Sequence, residues 1–309
     1  MTGLDRLLVA VALGATLANG YGVPGRFEPG IDTHKLWLAT GIVLMGASLR
    51  LGTLSDAGGP VLAVIGIVTA LTILVVEGLS RSVGLADRLG SLLAVGAGIC
   101  GVSAVVAVAG AVRAREDQIA YAAATVLLFD AATIVVYPVV GELLGLSDAV
   151  FGTWAGVSMF STGPVVAVGF ARSELAGQWA TIAKLSRNAL IGLLVVVYAT
   201  YYSRGGTAGE AGSLRTLWAE FPKFVPGFVA LAAVASTGVL SPEHLTAIEH
   251  GYNWLFLVAF VGLGTEIRLD DLREAGPRPV AVVLVALFVA SGLSLALLAV
   301  LFRDGMPGP

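Results

Sequence analysis

The sequence predicts an all-α integral membrane protein with 8–10 transmembrane helices. Hydrophobic residues make up 57% of its 309 residues and charged residues only 13%, whereas soluble domains carry about 25% charged residues. The 40 glycines agree with this class, since small residues allow membrane helices to pack closely. A net charge of −3 is too small to indicate a nucleic-acid partner.

The cysteines and histidines indicate no disulfide, metal or cofactor. Cys100 is the single cysteine, which excludes an internal disulfide, and the three histidines show no metal-ligand spacing with it. The chain also contains no nucleophile–base set, phosphate-binding loop or HExxH motif. We therefore expect no enzymatic activity.

Ten apolar stretches are candidates for membrane-embedded helices, most of them close to the ~20 residues that cross a hydrocarbon core. They lie at residues 4–20, 36–54, 60–80, 88–112, 118–142, 147–171, 178–202, 222–240, 252–266 and 279–302. Residues 7–18 resemble a signal peptide, but Asp5 beside Arg6 and the lack of a small-x-small cleavage site favour a retained helix. The connections are short, so we predict a single multi-pass transport domain over residues 1–309.

Two internal repeats divide this domain. Residues 46–58 match residues 264–276, and the VVAV and Gln-x-Ala motifs of residues 105–125 recur in residues 165–185. Chance similarity between Ala- and Val-rich helices is the alternative. Internal repeats are typical of secondary transporters, and we assign the pseudo-repeat elements to residues 41–142 and 147–302.

The stretches 88–112 and 147–171 decide the topology. If both cross the membrane they are parallel, whereas two re-entrant hairpins enter from opposite faces and make the repeat inverted. Without the intramembrane Lys184 and Arg187, sixteen Lys and Arg residues remain, divided 12 to 4 between the two sides with hairpins and 10 to 6 with ten crossings. The positive-inside rule favours hairpins. Both arrangements place both termini outside.

Two Gly-, Ser- and Pro-rich segments, residues 96–104 (GAGICGVSA) and 158–164 (SMFSTGP), predict breaks in the helices. A break exposes backbone N–H groups at a half-helix N-terminus, which binds anions. The alternatives are a close packing face for the first segment and a simple proline kink for the second. Paired breaks at equivalent positions favour a transport site. The predicted solute-binding residues here are Gly98, Cys100, Gly101, Ser103, Ser161, Thr162 and Gly163.

Charged residues within the apolar stretches complete the predicted site. Lys184 and Arg187 are three residues apart and share a helix face, and we predict that they attract an anionic solute. Asp130 is the predicted coupling residue for a proton or a sodium ion, because a buried charge usually faces a pathway or a partner. The alternative is a structural pair of Asp130 with Arg187 or Lys184. Glu77 lies near a helix end and is expected to reach the membrane interface.

The chain resembles the YeiH-like sulfate exporter family of the bile-acid symporter and sodium–proton antiporter-like superfamily. The resemblance covers about residues 5–302 and is carried by GIVLMGASL (41–49), ICGVSA (99–104), EDQIAYAAATVLLF (116–129), FGTWAGVS (151–158) and ATIAKLSR (180–187). It implies an inverted-repeat transporter whose discontinuous helices cross near the midplane. Lys184 and Arg187 match the family. Phe160, Ser161 and Pro164 instead replace a His, a Glu and a Gln that are common in it, and Asp130 replaces a small residue.

The predicted function is that of a secondary transporter, an exporter of a small anion such as sulfate or an organic sulfonate or carboxylate, working by alternating access in the cell membrane. One alternative is a cation–proton antiporter that uses Asp130. Another is a membrane scaffold or receptor without transport. Such a protein would need neither buried charges nor paired breaks, which counts against this alternative. The expected partners are the lipid bilayer, the anion, a coupling proton or sodium ion and, as one option, a second copy in a homodimer.

Overall fold

Helices dominate the described part of the chain. The computed structural model describes residues 3–22, 24–48, 51–203, 224–265 and 276–302, and the regular elements in these ranges are all helical. Four helical spans there are long and apolar enough to cross a membrane: Gly58–Ser82, Asp117–Leu143, Glu174–Tyr202 and Pro277–Leu301. The predicted class, an all-α integral membrane protein, is confirmed.

Thirteen α-helices of nine or more residues lie in the described ranges. They are α1 (Gly3–Gly20), α2 (His34–Met45), α3 (Leu51–Ser82), α4 (Asp87–Val95), α5 (Val102–Val112), α6 (Glu116–Leu143), α7 (Asp148–Ser158), α8 (Thr162–Arg172), α9 (Glu174–Asn188), α10 (Ile191–Ser203), α11 (Phe224–Ser236), α12 (Pro242–Thr265) and α13 (Pro277–Leu301). The predicted stretches 88–112, 147–171 and 178–202 are each divided into two helices.

The pairs α4–α5 and α7–α8 each double back on themselves. Arg88, at the start of α4, donates from Nη1 to the carbonyl oxygen of Arg113, just beyond α5, at 2.8 Å. Arg172, at the end of α8, donates from Nε to Oδ1 of Asp148, at the start of α7, at 2.9 Å. Both ends of each pair therefore lie together. We call α4–α5 with its connecting residues hairpin 1, and α7–α8 with its connecting residues hairpin 2.

Helix α6 connects the hairpins and fixes their directions. It has 28 residues, which corresponds to about 42 Å at 1.5 Å per residue, so its ends lie on opposite faces of a membrane. The base of hairpin 1 adjoins the start of α6 and the base of hairpin 2 adjoins its end. The hairpins therefore enter from opposite faces, which is the re-entrant arrangement of the two that the sequence left open.

Both predicted breaks occur, each with a backbone conformation that ends a helix. In hairpin 1 a π-helical turn at Gly96–Cys100 leads into Gly101, whose φ of +67° favours glycine. In hairpin 2 the backbone is extended at Met159 and Ser161. Pro164 follows in the first turn of α8, where its missing N–H breaks no intrahelical hydrogen bond.

Helix α1 packs directly against α12. A Cβ atom at Gly14 would overlap the carbonyl oxygen of Val261, and one at Gly264 would overlap that of Val11. Glycine at both positions thus allows close backbone approach, as is common between membrane helices. Residues 7–18, considered above as a signal peptide, lie within this packed helix.

The second sequence repeat coincides with equivalent elements of the hairpins. Its VVAV motif lies in the second arm of each hairpin, at residues 105–108 in α5 and 165–168 in α8. Its Gln-x-Ala motif lies near the start of the helix that follows, in α6 and α9. Because the hairpins enter from opposite faces, these elements are inverted. In the first repeat, residues 46–58 and 264–276, residues 49–50 and 266–275 lie outside the described residues.

Candidate functional site

The tips of the two hairpins touch each other inside the protein. A Cβ atom at Gly101 would overlap Oγ of Ser161, so the bend of hairpin 1 lies directly against the bend of hairpin 2. Ile99, Cys100 and Phe160 beside this contact are buried. Two breaks that are 60 residues apart in the chain therefore form one region at membrane depth.

Lys184 connects both tips from α9. Its side chain is fully buried, and Nζ donates to the carbonyl oxygens of Ile99 at 2.5 Å, Met159 at 3.1 Å and Phe160. An ammonium group has three N–H donors, and all three have an acceptor here. These carbonyl groups lie where the first arm of each hairpin ends.

Arg187, one helical turn further along α9, binds the same two tips. Nε donates to the carbonyl oxygen of Gly98 at 2.6 Å, Nη1 to that of Met159 at 2.8 Å and Nη2 to that of Ala97. The C-terminal ends of helices carry unsatisfied carbonyl groups and partial negative charge. The two cations cap these ends. We predicted that both residues attract an anionic solute. The donors named here bind backbone carbonyls, and the attraction stays a prediction.

Asp130 binds the opposite, positively polarised helix end of hairpin 2, which is the N-terminus of α8. The residue is 4% exposed in the middle of α6, and its Oδ1 accepts the backbone N–H of Ser161 at 3.0 Å. A carboxylate at a helix N-terminus is favourable because that end carries partial positive charge. Asp130 also interacts electrostatically with Lys184 and Arg187. The three predicted intramembrane charges thus belong to one group.

Helices α5 and α8 both begin where the two hairpin tips touch. Neither helix has a side-chain cap from its own N-cap residue. Neither Gly101 nor Ser161 places a side chain on the first-turn N–H groups. The first N–H groups of a helix have no partner within the helix. Backbone donors are therefore available at the start of both second arms, and such donors suit an anion.

Most of the predicted binding residues lie in the two bends or immediately after them: Gly98, Cys100, Gly101, Ser161 and Thr162. Two others face elsewhere. The side chain of Ser103 is exposed, and a Cβ atom at Gly163 would lie 3.0 Å from Leu263 of α12. Of the predicted binding residues in the two segments, those closest to the bends therefore lie where the two hairpin tips touch.

Asn188 belongs to this region and was missed by the sequence-based prediction. Its Nδ2 donates to Oγ1 of Thr162, the first residue of α8, at 3.0 Å. The residue is 2% exposed, and its Oδ1 has no hydrogen-bond partner. The signal was its position four residues after Lys184, which places both on one face of α9. A polar residue near a helix end does not attract attention on composition alone.

A second polar cluster joins the base of hairpin 1 to its neighbours. Glu77 of α3 accepts hydrogen bonds from Ser91 of α4 at 2.7 Å and from Tyr198 of α10 at 2.8 Å. Its side chain is only 16% exposed. Glu77 also binds the exposed Arg81 at 3.2 Å. That Glu77 reaches the membrane interface stays a prediction; the hydroxyl groups of adjacent helices are partners that the sequence did not indicate.

The base of hairpin 2 is held by Arg172. Its guanidinium group binds Asp148 and the carbonyl oxygen of Leu146, and it lies over the ring of Phe151 at 4.6 Å. Burial alone raises the pKa of Asp148, but hydrogen bonds from Arg172 and Ser173 and the positive charge of Arg172 outweigh burial and lower this pKa below its usual value. The described residues contain no cluster of three His, Cys, Asp or Glu suited to a metal ion.

Comparisons with known proteins find relatives along nearly the whole chain. A family model described as Conserved hypothetical protein 698 matches residues 1–283. A UPF0324 membrane protein of Nitratidesulfovibrio vulgaris is 34% identical over 278 residues, which cover 88% of this chain and 77% of that protein. Another from the same organism is 30% identical over 307 residues, covering 96% and 83%.

A UPF0324 membrane protein of Bacillus cereus is 30% identical over 280 residues, covering 89% of this chain and 78% of that protein. No solved structure matches the chain. The relatives' names give membrane location and no substrate. With the four apolar helices described above, they identify a multi-pass membrane protein.

Proposed function

Since the chain belongs to the Conserved hypothetical protein 698 family, whose relatives are named UPF0324 membrane proteins, we propose that it is a secondary transporter that binds a small anion between the hairpin tips. The site opens alternately to the two faces of the membrane. Irregular backbone at membrane depth supports this proposal, because it is tolerated only where protein covers it or where it lines a water-filled cavity.

The charge balance at the tips carries the anion proposal. Each half-helix terminus contributes about half an elementary charge, positive at the starts of α5 and α8 and negative at the ends of the first arms, so these contributions cancel. The two cations Lys184 and Arg187 then exceed the single carboxylate of Asp130 by one charge. A bound monovalent anion neutralises this excess in a region where uncompensated charge is costly.

The anion contacts backbone donors, while the cations act at longer range. Lys184 and Arg187 use the donors described above for carbonyl oxygens, so they contribute electrostatic potential. The first-turn N–H groups of α5 and α8 and the hydroxyl groups of Ser161 and Thr162 are the proposed ligands. This combination binds an oxyanion without a direct salt bridge.

Asp130 is the proposed coupling residue. A proton on its carboxyl group removes the only negative side-chain charge among the three and raises the excess to two positive charges. The charge of a divalent anion such as sulfate is then balanced, just as the charge of a monovalent anion is balanced when Asp130 is ionised. Because binding of the proton and of the dianion favour each other, the two move in the same direction. Export then runs down the outward anion gradient and carries a proton with it, so its rate responds to an imposed pH gradient. A sodium ion bound at Asp130 would have the same effect on the charge balance.

The substrate class and the direction follow the family resemblance. Export of sulfate, an organic sulfonate or a carboxylate is the proposed activity, and Lys184 and Arg187 match the family at its ATIAKLSR motif. The excess of Lys and Arg on the side that carries the base of hairpin 1 favours a cytoplasmic location for that base. Both termini are then outside, which cysteine labelling of Arg115→Cys in a Cys100→Ser background checks.

Thermal unfolding of the purified protein with sulfate, ethanesulfonate and acetate tests the proposal. A ligand that binds only the folded state stabilises it by about 2.7 kcal/mol at 100 times its Kd. This stabilisation raises the melting temperature. We expect a rise with at least one anion at constant sodium concentration. No rise with any anion, at concentrations up to tens of millimolar, would contradict anion binding.

A cation–proton antiporter is the second candidate, and the burial of Asp130 at a helix break favours it. The same unfolding assay separates the two. If sodium or lithium raises the melting temperature whatever the anion, and Asp130→Asn abolishes that rise, the ion site is at Asp130 and the anion proposal fails. If Asp130→Asn retains anion binding but its transport in vesicles no longer responds to an imposed pH gradient, the coupling role holds.

A further inference from the structure

The amide of Asn188 is half satisfied although it is buried. An asparagine side chain offers two N–H donors at one end and an acceptor oxygen at the other. Here Nδ2 binds Thr162 at 3.0 Å, while Oδ1 has no hydrogen-bond partner and the residue is 2% exposed. Buried polar groups in folded proteins are nearly always paired. An orphan acceptor that persists at a candidate binding site indicates that its partner arrives with a ligand.

The position of this amide connects it to the proposed solute site. Thr162 is the first residue of α8, and the N-cap residue Ser161 supplies no side-chain cap for that helix. Ser161 also lies against Gly101, where α5 begins. Asn188 is therefore adjacent to the N-terminus of α8 and one residue removed from the contact with the N-terminus of α5.

An unpaired carbonyl oxygen requires a hydrogen-bond donor. Sulfate and simple sulfonates present only acceptor oxygens at neutral pH, so they satisfy the backbone N–H groups but not Oδ1 of Asn188. A small anion that also carries a hydroxyl or amino group satisfies both. Asp130 binds the N–H of Ser161, the residue before Thr162, and its negative charge favours a donor group on the solute.

We propose that Asn188, held by Thr162, accepts a hydrogen bond from an O–H or N–H group of the solute, so that the transporter selects small hydroxy- or amino-substituted sulfonates and carboxylates over acceptor-only anions. The inference rests on the proposed anion transport and specifies its substrate. The acid group lies at the N-terminus of α5, and the donor group lies at Asn188.

Isethionate and ethanesulfonate test the proposal, since they have the same charge and differ by one hydroxyl group. Binding of each sodium salt to the purified full-length protein is measured by isothermal titration calorimetry. We expect the wild-type protein to bind isethionate at least about tenfold more tightly, because a site built for a hydroxyl group is left with an unpaired polar group by the analogue that lacks it.

Substitution of the amide isolates its role. Asn188→Leu keeps the approximate size and removes both hydrogen-bonding ends, so it should abolish the preference for isethionate and leave ethanesulfonate binding within about twofold. Gln178→Leu is the matched control. It removes another amide of the same helix, and this amide binds Glu174 and does not bind the hairpin tips. If Asn188→Leu does not fold, Asn188→Ala provides the same comparison.

The outcomes separate this inference from the proposed function. Equal wild-type affinity for both anions, or a preference that survives in Asn188→Leu, overturns the role of Asn188 while anion binding stands. An equal loss for both anions in Asn188→Leu also overturns it, since the amide then binds the acid group. If the wild-type protein binds neither of these anions nor sulfate, the proposed function fails and the inference fails with it.

Discussion

Replacement of Lys184 by Met should destabilise the protein by removing a cap from both hairpins. The methionine retains an unbranched side chain of similar length but has no donor. The carbonyl oxygens of Ile99 and Phe160 then lose the Lys184 donor, while that of Met159 keeps its hydrogen bond from Arg187. Each buried carbonyl group left unsatisfied costs about 1–3 kcal/mol.

The two lost caps together correspond to about 2–6 kcal/mol. Relief from burying an ammonium group opposes this cost, so we expect a net loss of about 2–3 kcal/mol, on the order of 5–10 °C in melting temperature. Thermal unfolding of the purified variant in detergent measures it. Arg278→Met is the control, because it replaces an exposed cation and should change stability by less than about 0.5 kcal/mol.

Anion binding measured on the same samples decides between capping and direct contact. A cap predicts that Lys184→Met melts earlier, and that the anion affinity of the folded fraction falls only moderately through the lost charge. Direct contact predicts wild-type stability with anion binding abolished. A melting temperature within about 1 °C of the wild type, together with lost binding, would refute the capping argument.

Two further predictions concern the shape and the base of the hairpins. Gly101→Ala should destabilise the protein by about 2 kcal/mol more than Gly84→Ala in thermal unfolding, since both positions have positive φ but a Cβ atom overlaps a neighbour only at Gly101; equal losses would contradict the contact between the tips. Asp148→Asn should cost about 0.5–1 kcal/mol at pH 7, since the Asp148 side chain is 41% exposed. The folded-state pKa of Asp148 is lowered, so its contribution is full above about pH 4 and disappears as the pH falls through that lowered value. A difference in melting temperature between wild type and Asp148→Asn that is undiminished at pH 3 would contradict the ion pair.

The breaks and the buried charges could be located from the sequence because each violates a local rule. Three glycines and a serine at 96–104 and the proline at 164 are unfavourable in a lipid-facing helix, and Lys184 and Arg187 are unfavourable in an apolar stretch. Such exceptions are visible without a structure. The choice between hairpins and crossings was weaker, because it depended only on how Lys and Arg divide between two sides.

The partners of these residues could not be predicted. Lys184 and Arg187 bind carbonyl groups 24 to 90 positions away in the chain, and any backbone carbonyl is an equivalent acceptor until the fold selects one. For the same reason Asn188 was not recognised and the partners of Glu77 were not predicted, since a single amide or carboxylate near a helix end is usually solvated. Their importance comes from hydroxyl groups on other helices, Thr162 for Asn188 and Tyr198 for Glu77.

The use of both cations as caps affects how a solute could be released. A solute paired directly with a buried Lys or Arg would leave an uncompensated charge on departure, which is strongly unfavourable. Here the donors of Lys184 and Arg187 bind backbone carbonyl groups and not the proposed solute, so its departure leaves the excess of one positive charge but does not leave these N–H groups unpaired. Affinity then depends on neutral donors and acceptors at the starts of α5 and α8, on the excess positive charge of Lys184 and Arg187 over Asp130, and on the protonation of Asp130. A moderate affinity of that kind is what a transporter needs, because the solute must enter from one face and leave at the other.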